Sequence, residues 1–319
     1  MKCDWCPPTT KTFTRFPCCF QLYPGKNERT NPGNIQELHG MARRIMPKFF
    51  DGVEVDYVHR LSSNKIITTN WLLSHTRPSG FRFGGIYTMR VQDDIMQTPT
   101  VHADINPSSL ASNFGVLYYP FNCLRLEALL QRAGTDTPLT TQLTAEITRP
   151  CATITANYYT YEDEKGRGTL SFMRSITAHW AIGAELLLEW PDANSLMADT
   201  AFAARYSTHN YAVAASASRQ GVDISYWQRI HSRIQMGTTM AWQRKTKDTY
   251  AAICYQWDFK DAVVRGVVQS DLSVGFMYQR SLSHIPCGFG VSLLMNIPTN
   301  KFVFGIKFNL DPSGLKRGD

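Results

Sequence analysis

Charge is scarce in this chain. Asp, Glu, Lys and Arg together supply only 18% of its 319 residues. Long hydrophobic runs are missing as well. No stretch approaches the roughly 18 consecutive apolar residues of a membrane-crossing helix, so a helical span is excluded. There is no Gly-x-Ser-x-Gly, no Walker loop, no dinucleotide-binding glycine fingerprint and no His-Glu-x-x-His. The 8 histidines are dispersed. No enzyme and no cofactor are therefore assigned. Cys3-x-x-Cys6 followed by Cys18-Cys19 is a poor zinc frame, because the second pair lacks the two-residue gap and the segment has no histidine. Free thiols are the preferred reading, and no metal site is expected.

What the chain does have is alternation. Trp180, Ile182, Ala184, Leu186, Leu188 and Trp190 interleave with Ala181, Gly183, Glu185, Leu187 and Glu189. This is one strand with an apolar face and a face carrying carboxylates. Ten residues of strand span roughly 33 Å, and tilted by about 45° they match the apolar band of a membrane barrel. Tryptophan at both margins suits two membrane–water interfaces, because the ring is apolar while its N–H seeks water. Trp180, Trp190 and Trp242 are the expected girdle residues.

The pattern recurs. Ile154, Ala156 and Tyr158 oppose Thr153, Thr155 and Asn157. Val222, Ile224 and Tyr226 oppose Asp223 and Ser225, and Ile234, Met236, Thr238, Met240 and Trp242 oppose Gln235, Gly237, Thr239 and Gln243. Phe302, Phe304, Ile306 and Phe308 oppose Lys307 and Asn309. Turn residues such as Thr135-Asp136-Thr137-Pro138 and Pro191-Asp192-Ala193-Asn194 punctuate the runs. At about ten residues per strand and four per turn, the span from Asp51 to Leu310 holds about eighteen or nineteen strands. So many consecutive hairpins leave open edges unless they close into one barrel. The expected fold is all-β: a transmembrane barrel of about 19 strands, wide enough for an aqueous channel. A soluble β-rich binding protein ranks far behind, since the apolar outer faces would form an exposed patch far beyond a few hundred Å².

The first residues show no basic stretch followed by an apolar core, so no secretory signal is expected. A barrel without an export signal points to the mitochondrial or plastid outer membrane. Pro7, Pro8, Pro17 and Pro24 break any amphipathic transit helix, so import information is expected inside the barrel. Asn34 to Met46 reads as one helix: Pro32-Gly33 opens it, Asn34 caps it and Pro47 stops it. Ile35, Leu38, Ala42 and Ile45 share a face, which suits a plug stapled to the barrel wall. The expected division is a disordered tail over 1–31, a lumenal helix over 32–48, the barrel over 49–310 and a short tail over 311–319.

These residues resemble the channel-forming barrel subunit of the translocase of the outer mitochondrial membrane, in the eukaryotic porin superfamily. The resemblance runs from Pro32-Gly33 and Asp51-Gly52-Val53 through Phe83-Gly84, Tyr87 and Ser175-Ile176-Thr177. It continues with Gly183-Ala184-Glu185-Leu186, Tyr255-Gln256, Gly266 and Gly275, and ends with Asn300-Lys301-Phe302 through Leu310. It implies nineteen strands with the first and last parallel, a helix in the lumen, and passage of unfolded precursor proteins. It also implies a C-terminal assembly signal, of which Gly305, Phe308 and Leu310 fit while Val303 replaces a polar residue. That departure, with the short Cys-rich N-terminus, points to a divergent animal paralogue.

Targeting presequences are basic helices, so lumenal carboxylates would attract them over about 8–10 Å. Alternation nominates Asp104, Glu127, Glu146, Glu185, Glu189 and Asp223 as inward acids, with Arg82, Arg125, Arg205 and Lys307 as inward cations. Arg174 falls on the lipid side of its strand, at an interface if the register is right. Implied partners are basic presequences of precursors, a receptor subunit with an acidic cytosolic segment, small single-span subunits, outer-membrane lipid and a second barrel; nucleic acid is not among them. The rival reading is a metabolite pore like the voltage-dependent anion channel, which the net charge of +7 favours slightly.

Overall fold

The computed structural model describes residues 31–311, except 77–78, 90–98, 122, 135–136, 163–164, 193–194 and 283–286. The Cys-rich segment and both terminal tails beyond these bounds lie outside the described residues. Period-two alternation produces strands almost throughout. The first six are Gly52–Ser62 (β1), Lys65–Leu73 (β2), Gly80–Thr88 (β3), Thr100–Ile105 (β4), Ser112–Phe121 (β5) and Leu124–Arg132 (β6). Next come Thr140–Arg149 (β7), Ala152–Glu162 (β8), Lys165–Ser175 (β9), Trp180–Asp192 (β10), Ser195–Ser207 (β11) and Tyr211–Ser218 (β12). The rest are Gly221–His231 (β13), Ile234–Gln243 (β14), Thr249–Asp258 (β15), Ala262–Gln269 (β16), Ser273–Leu282 (β17), Cys287–Asn296 (β18) and Lys301–Leu310 (β19).

Each strand pairs antiparallel with its sequence neighbour, and β1 pairs with β19 in parallel, so the described residues form one closed barrel of nineteen strands. An odd count makes a parallel seam unavoidable. The outer face is apolar: Trp180 and Phe302 leave 49% and 73% of their surface uncovered by protein. A belt of such residues around the whole wall is stable against lipid, not water. Among the described residues no helix is long and apolar enough to cross a membrane.

The helix expected over 34–46 is shorter and broken. A 3-10 turn covers Ile35–Glu37, capped by the Asn34 side chain, and the α-helix (α1) covers only Gly40–Ile45. The break falls at His39, whose backbone leaves helical geometry (φ −89°, ψ 8°). Its ring bonds two wall hydroxyls, Ser225 Oγ at 2.7 Å and Ser216 Oγ at 3.1 Å. Six residues are too few to hold a helix by themselves. Packing holds it instead. Ile35 and Leu38 bury against Met173, Ala181, Ala203 and Ala214 of β9–β12. Ala42 and Ile45 bury against Ala212, Trp227, Ala252, Cys254 and Val267.

The segment 31–50 crosses the lumen from rim to rim. Asn31 donates to the carbonyl of Arg149, the last residue of β7, while Phe50 packs where β1 begins. Odd-numbered strands all end at the Arg149 rim, so residue 31 and the exit from β19 share that rim. At Phe50 the approach is close: a Cβ on Gly305 would stand 2.1 Å from the Phe50 carbonyl oxygen. At the opposite rim Asp51 accepts hydrogen bonds from Ser74 Oγ, His75 N, Thr76 N and Thr76 Oγ1. Burial alone would raise its pKa, but these donors together hold the carboxyl well below the usual carboxylate range.

Gly305→Ala is expected to lower barrel stability by about 1–3 kcal/mol through overpacking against Phe50; heat-modifiable gel mobility of the folded barrel reads this directly. The Asp51 contribution has the sign of a depressed carboxylate: present above the unfolded pKa near 4 and lost as pH falls through the lower folded value. Acid unfolding of wild type should therefore be steeper below about pH 4 than that of Asp51→Asn. Equal acid profiles would remove Asp51 from this role.

Candidate functional site

The lumenal wall is asymmetric. Its β9–β16 side is covered by the N-terminal segment, and small inward residues (Ala181, Ala203, Ala212, Ala214, Ala252) make room for it. The β1–β7 side carries charged clusters and stays open. A cavity of about 730 Å³ runs along it, lined by Glu54, Asp56, Asn70, Arg82, Asp104 and Asn106 among others.

Three clusters stand on this open wall. At the seam, Lys307 Nζ of β19 lies 2.8 Å from Glu54 Oε1 and also contacts Asp56, both on β1. Asn70 of β2 donates to the same two carboxylates. Arg82 of β3 reaches Asp104 of β4 at 3.6 Å, and Asn113 of β5 donates to that carboxylate at 3.1 Å. Arg125 of β6 pairs with Glu127 at 2.6 Å and with Glu146 of β7 at 3.7 Å. Glu54, Asp56, Asp104, Glu127 and Glu146 thus face Lys307, Arg82 and Arg125, leaving carboxylates in excess. All of these side chains remain partly solvent-exposed, so their field extends into the channel while being screened by salt.

The nominated acids do not form one patch. Asp104, Glu127 and Glu146 stand on the open wall. Glu185 and Asp223 line a separate cavity of about 450 Å³ beside the lumenal segment, with Ile35, Leu38, His39 and Lys245. Glu189 lies at the rim where β1 begins, with Asp199 and the cations Arg219, Arg244 and Lys245, around a space of about 850 Å³. There the acid has basic company, and a local negative field is not built. Arg205 turns inward and donates to the Pro32 carbonyl, anchoring the segment rather than lining the open path.

Sequence reasoning passed over the seam cluster and the His39 anchor. Glu54 and Asp56 were legible in principle, since Val53, Val55 and Tyr57 alternate with them. Their joining to Lys307, 253 positions away, was not. Gly305 faces the lumen against Phe50, whereas Phe308 and Leu310 lie on the alternate, outer face, and Phe308 is paired with Val55 across the seam. Trp180, Trp190 and Trp242 lie on the outer face near strand ends; Trp180 contacts Tyr206 edge-on at 5.0 Å and Trp190 stacks on Tyr158 at 5.7 Å. Among the described residues no cluster of His, Cys, Asp and Glu could hold a metal.

Most of the chain also matches a known protein family. The eukaryotic porin model aligns with residues 31–305. The chain belongs to the eukaryotic porin family. It is similar, at 25% identity, to the mitochondrial import receptor subunit TOM40 homolog 2 of Drosophila melanogaster, over 88% of this chain and 84% of that protein. Mitochondrial import receptor subunit TOM40B of Homo sapiens is 24% identical over 88% of this chain and 92% of its own length. A mutant of Rh. blastica porin superposes with a TM-score of 0.47 at 11% identity, covering 70% of this chain and 94% of the other. This eukaryotic porin is accordingly a TOM40-like channel of the mitochondrial outer membrane, a pore and not an enzyme.

His39→Leu should free the segment from Ser216 and Ser225, costing about 1–3 kcal/mol of docking. Single-channel recordings of the variant are expected to show larger and noisier open states than wild type. Identical conductance traces would mean that the segment does not limit the pore.

Proposed function

We propose that this porin conducts unfolded precursor proteins across the mitochondrial outer membrane. The observation that carries the reading is the open wall with excess carboxylates: Glu54, Asp56, Asp104, Glu127 and Glu146. A basic amphipathic presequence entering the lumen would meet a field of the opposite sign, able to concentrate it without gripping it. Partial pairing with Lys307, Arg82 and Arg125 suits this, because bound clients must leave again. Glu185 and Asp223, beside the apolar segment, offer a second station where charge and hydrophobic surface meet, as an amphipathic client would need. Glu127 and Glu146 share one cation, as Glu54 and Asp56 share Lys307, so each pair keeps a carboxylate charge in excess for a client's Lys or Arg.

The printed names of the relatives, mitochondrial import receptor subunits, support the same reading. By that similarity the partners are precursor presequences, receptor and small single-span translocase subunits and a second barrel, with Gly305, Phe308 and Leu310 as the assembly signal. The rival is a metabolite pore like the voltage-dependent anion channel, favoured by the net charge of +7.

Planar-bilayer recording of the purified protein separates the two. Import predicts cation preference, block by a micromolar basic presequence peptide, and at least about tenfold weaker block in Asp104→Asn with Glu127→Gln and Glu146→Gln at low salt. Strong anion selectivity with no peptide block would sink the import reading in favour of the metabolite pore.

A further inference from the structure

Two arginines stand where a barrel wall should be apolar. On β7 the outward residues are Leu143, Ala145, Ile147 and then Arg149, with Glu146 turned to the lumen. On β9 they are Leu170, Phe172 and then Arg174, with Met173 buried inside. The register joins them: Arg149 is opposite Ala152, and Ala152 is opposite Arg174. The row reads Arg149–Ala152–Arg174 across three adjacent strands. At about 4.8 Å per strand, the two arginine Cα atoms stand roughly 10 Å apart with only a methyl group between them.

All three residues lie at the same membrane margin. Arg149 closes β7, Ala152 opens β8, and Arg174 is one residue from the end of β9. Cations there escape the cost they would carry at the bilayer midplane. The backbone beneath is pinned: Asn31 Nδ2 donates to the Arg149 carbonyl at 2.5 Å, and Ser175 N donates to the Cys151 carbonyl at 2.9 Å. One row deeper on the same face, Ile147, Ile154 and Phe172 form an apolar wall. Trp180, the first residue of the neighbouring β10, marks the interface beside them.

We propose that Arg149 and Arg174 form a clip for the phosphate of a phospholipid headgroup, with Ala152 as its floor. Guanidinium groups bind phosphate oxygens as planar forks, and two of them reaching in from either side hold one phosphate between them. The acyl chains then run down over Ile147, Ile154 and Phe172. A free phosphate would use the forks alone and leave that wall unused, so the occupant is a lipid. The clip fixes one lipid at the rim where residue 31 enters the lumen, joining the outer contact to the anchor of the lumenal segment through the Arg149 carbonyl.

Native mass spectrometry of the full chain in detergent, titrated with short-chain phosphatidic acid, tests this. Wild type should retain one phospholipid per barrel, and diacylglycerol of the same chain length should not be retained. Arg149→Gln with Arg174→Gln should weaken retention at least about tenfold. Ala152→Phe should do the same while keeping both charges, and it stands as the deciding variant if the double substitution fails to fold. Lys65→Gln with Arg280→Gln, cations on the outward face of β2 and β17, should retain lipid as wild type does. Equal retention by the clip variants, equal loss in the Lys65 and Arg280 control, or displacement by equimolar inorganic phosphate would each overturn the clip.

Discussion

The structure depends on one closure: the parallel pairing of β1 with β19, from Gly52 opposite Gly305 to Tyr57 opposite Leu310. The eighteen antiparallel joints each pair strands that follow one another in sequence, but this one joins the two ends of the barrel and closes far the longest loop of chain. Without it, two rows of backbone N–H and C=O groups would face hydrocarbon, where each unpaired group costs several kcal/mol. The seam is reinforced inside by Lys307, which crosses it to Glu54 and Asp56. The small residue Gly305 lets Phe50 lie against β19 before the chain enters β1. Closure and entry of the lumenal segment are therefore one piece of packing.

That packing divides the lumen by chemistry. Where the segment lies, the wall offers alanines, Met173, Cys254 and Val267, and the pair Ser216 and Ser225 for His39. Where it does not lie, the wall is polar and acidic. A pore lined evenly would present an entering chain with a uniform field. This one presents an apolar, partly filled side and a charged, hydrated side.

The outer face is divided too, though by position rather than by wall. Its belt is apolar, its margins hold Trp180, Trp190 and Trp242, and among the described residues its cations appear only near strand ends. Arg174 looks out of place when its strand is read alone. Seen beside Arg149 across Ala152 it belongs to a row, and only strand pairing creates that row.

Much of this was readable in advance. The strand-rich barrel, its two faces, the inward parity of Glu185, Asp223 and Lys307 and the apolar stripe Ile35–Leu38–Ala42–Ile45 all follow from local periodicity, because a side chain's face is set by its neighbours one and two positions away. The single helix over 34–46 was not what formed, since His39 trades helical geometry for wall hydroxyls more than 170 residues distant. Grouping was equally hidden. Local sequence determined which residues point inward, a count of about eighteen or nineteen strands and the class of fold. Only the tertiary structure decided that Lys307 meets Glu54, that Glu189 sits among cations while Glu127 and Glu146 share one, and that Arg149 stands beside Arg174. Registers between strands are properties of pairs, and no single strand carries them.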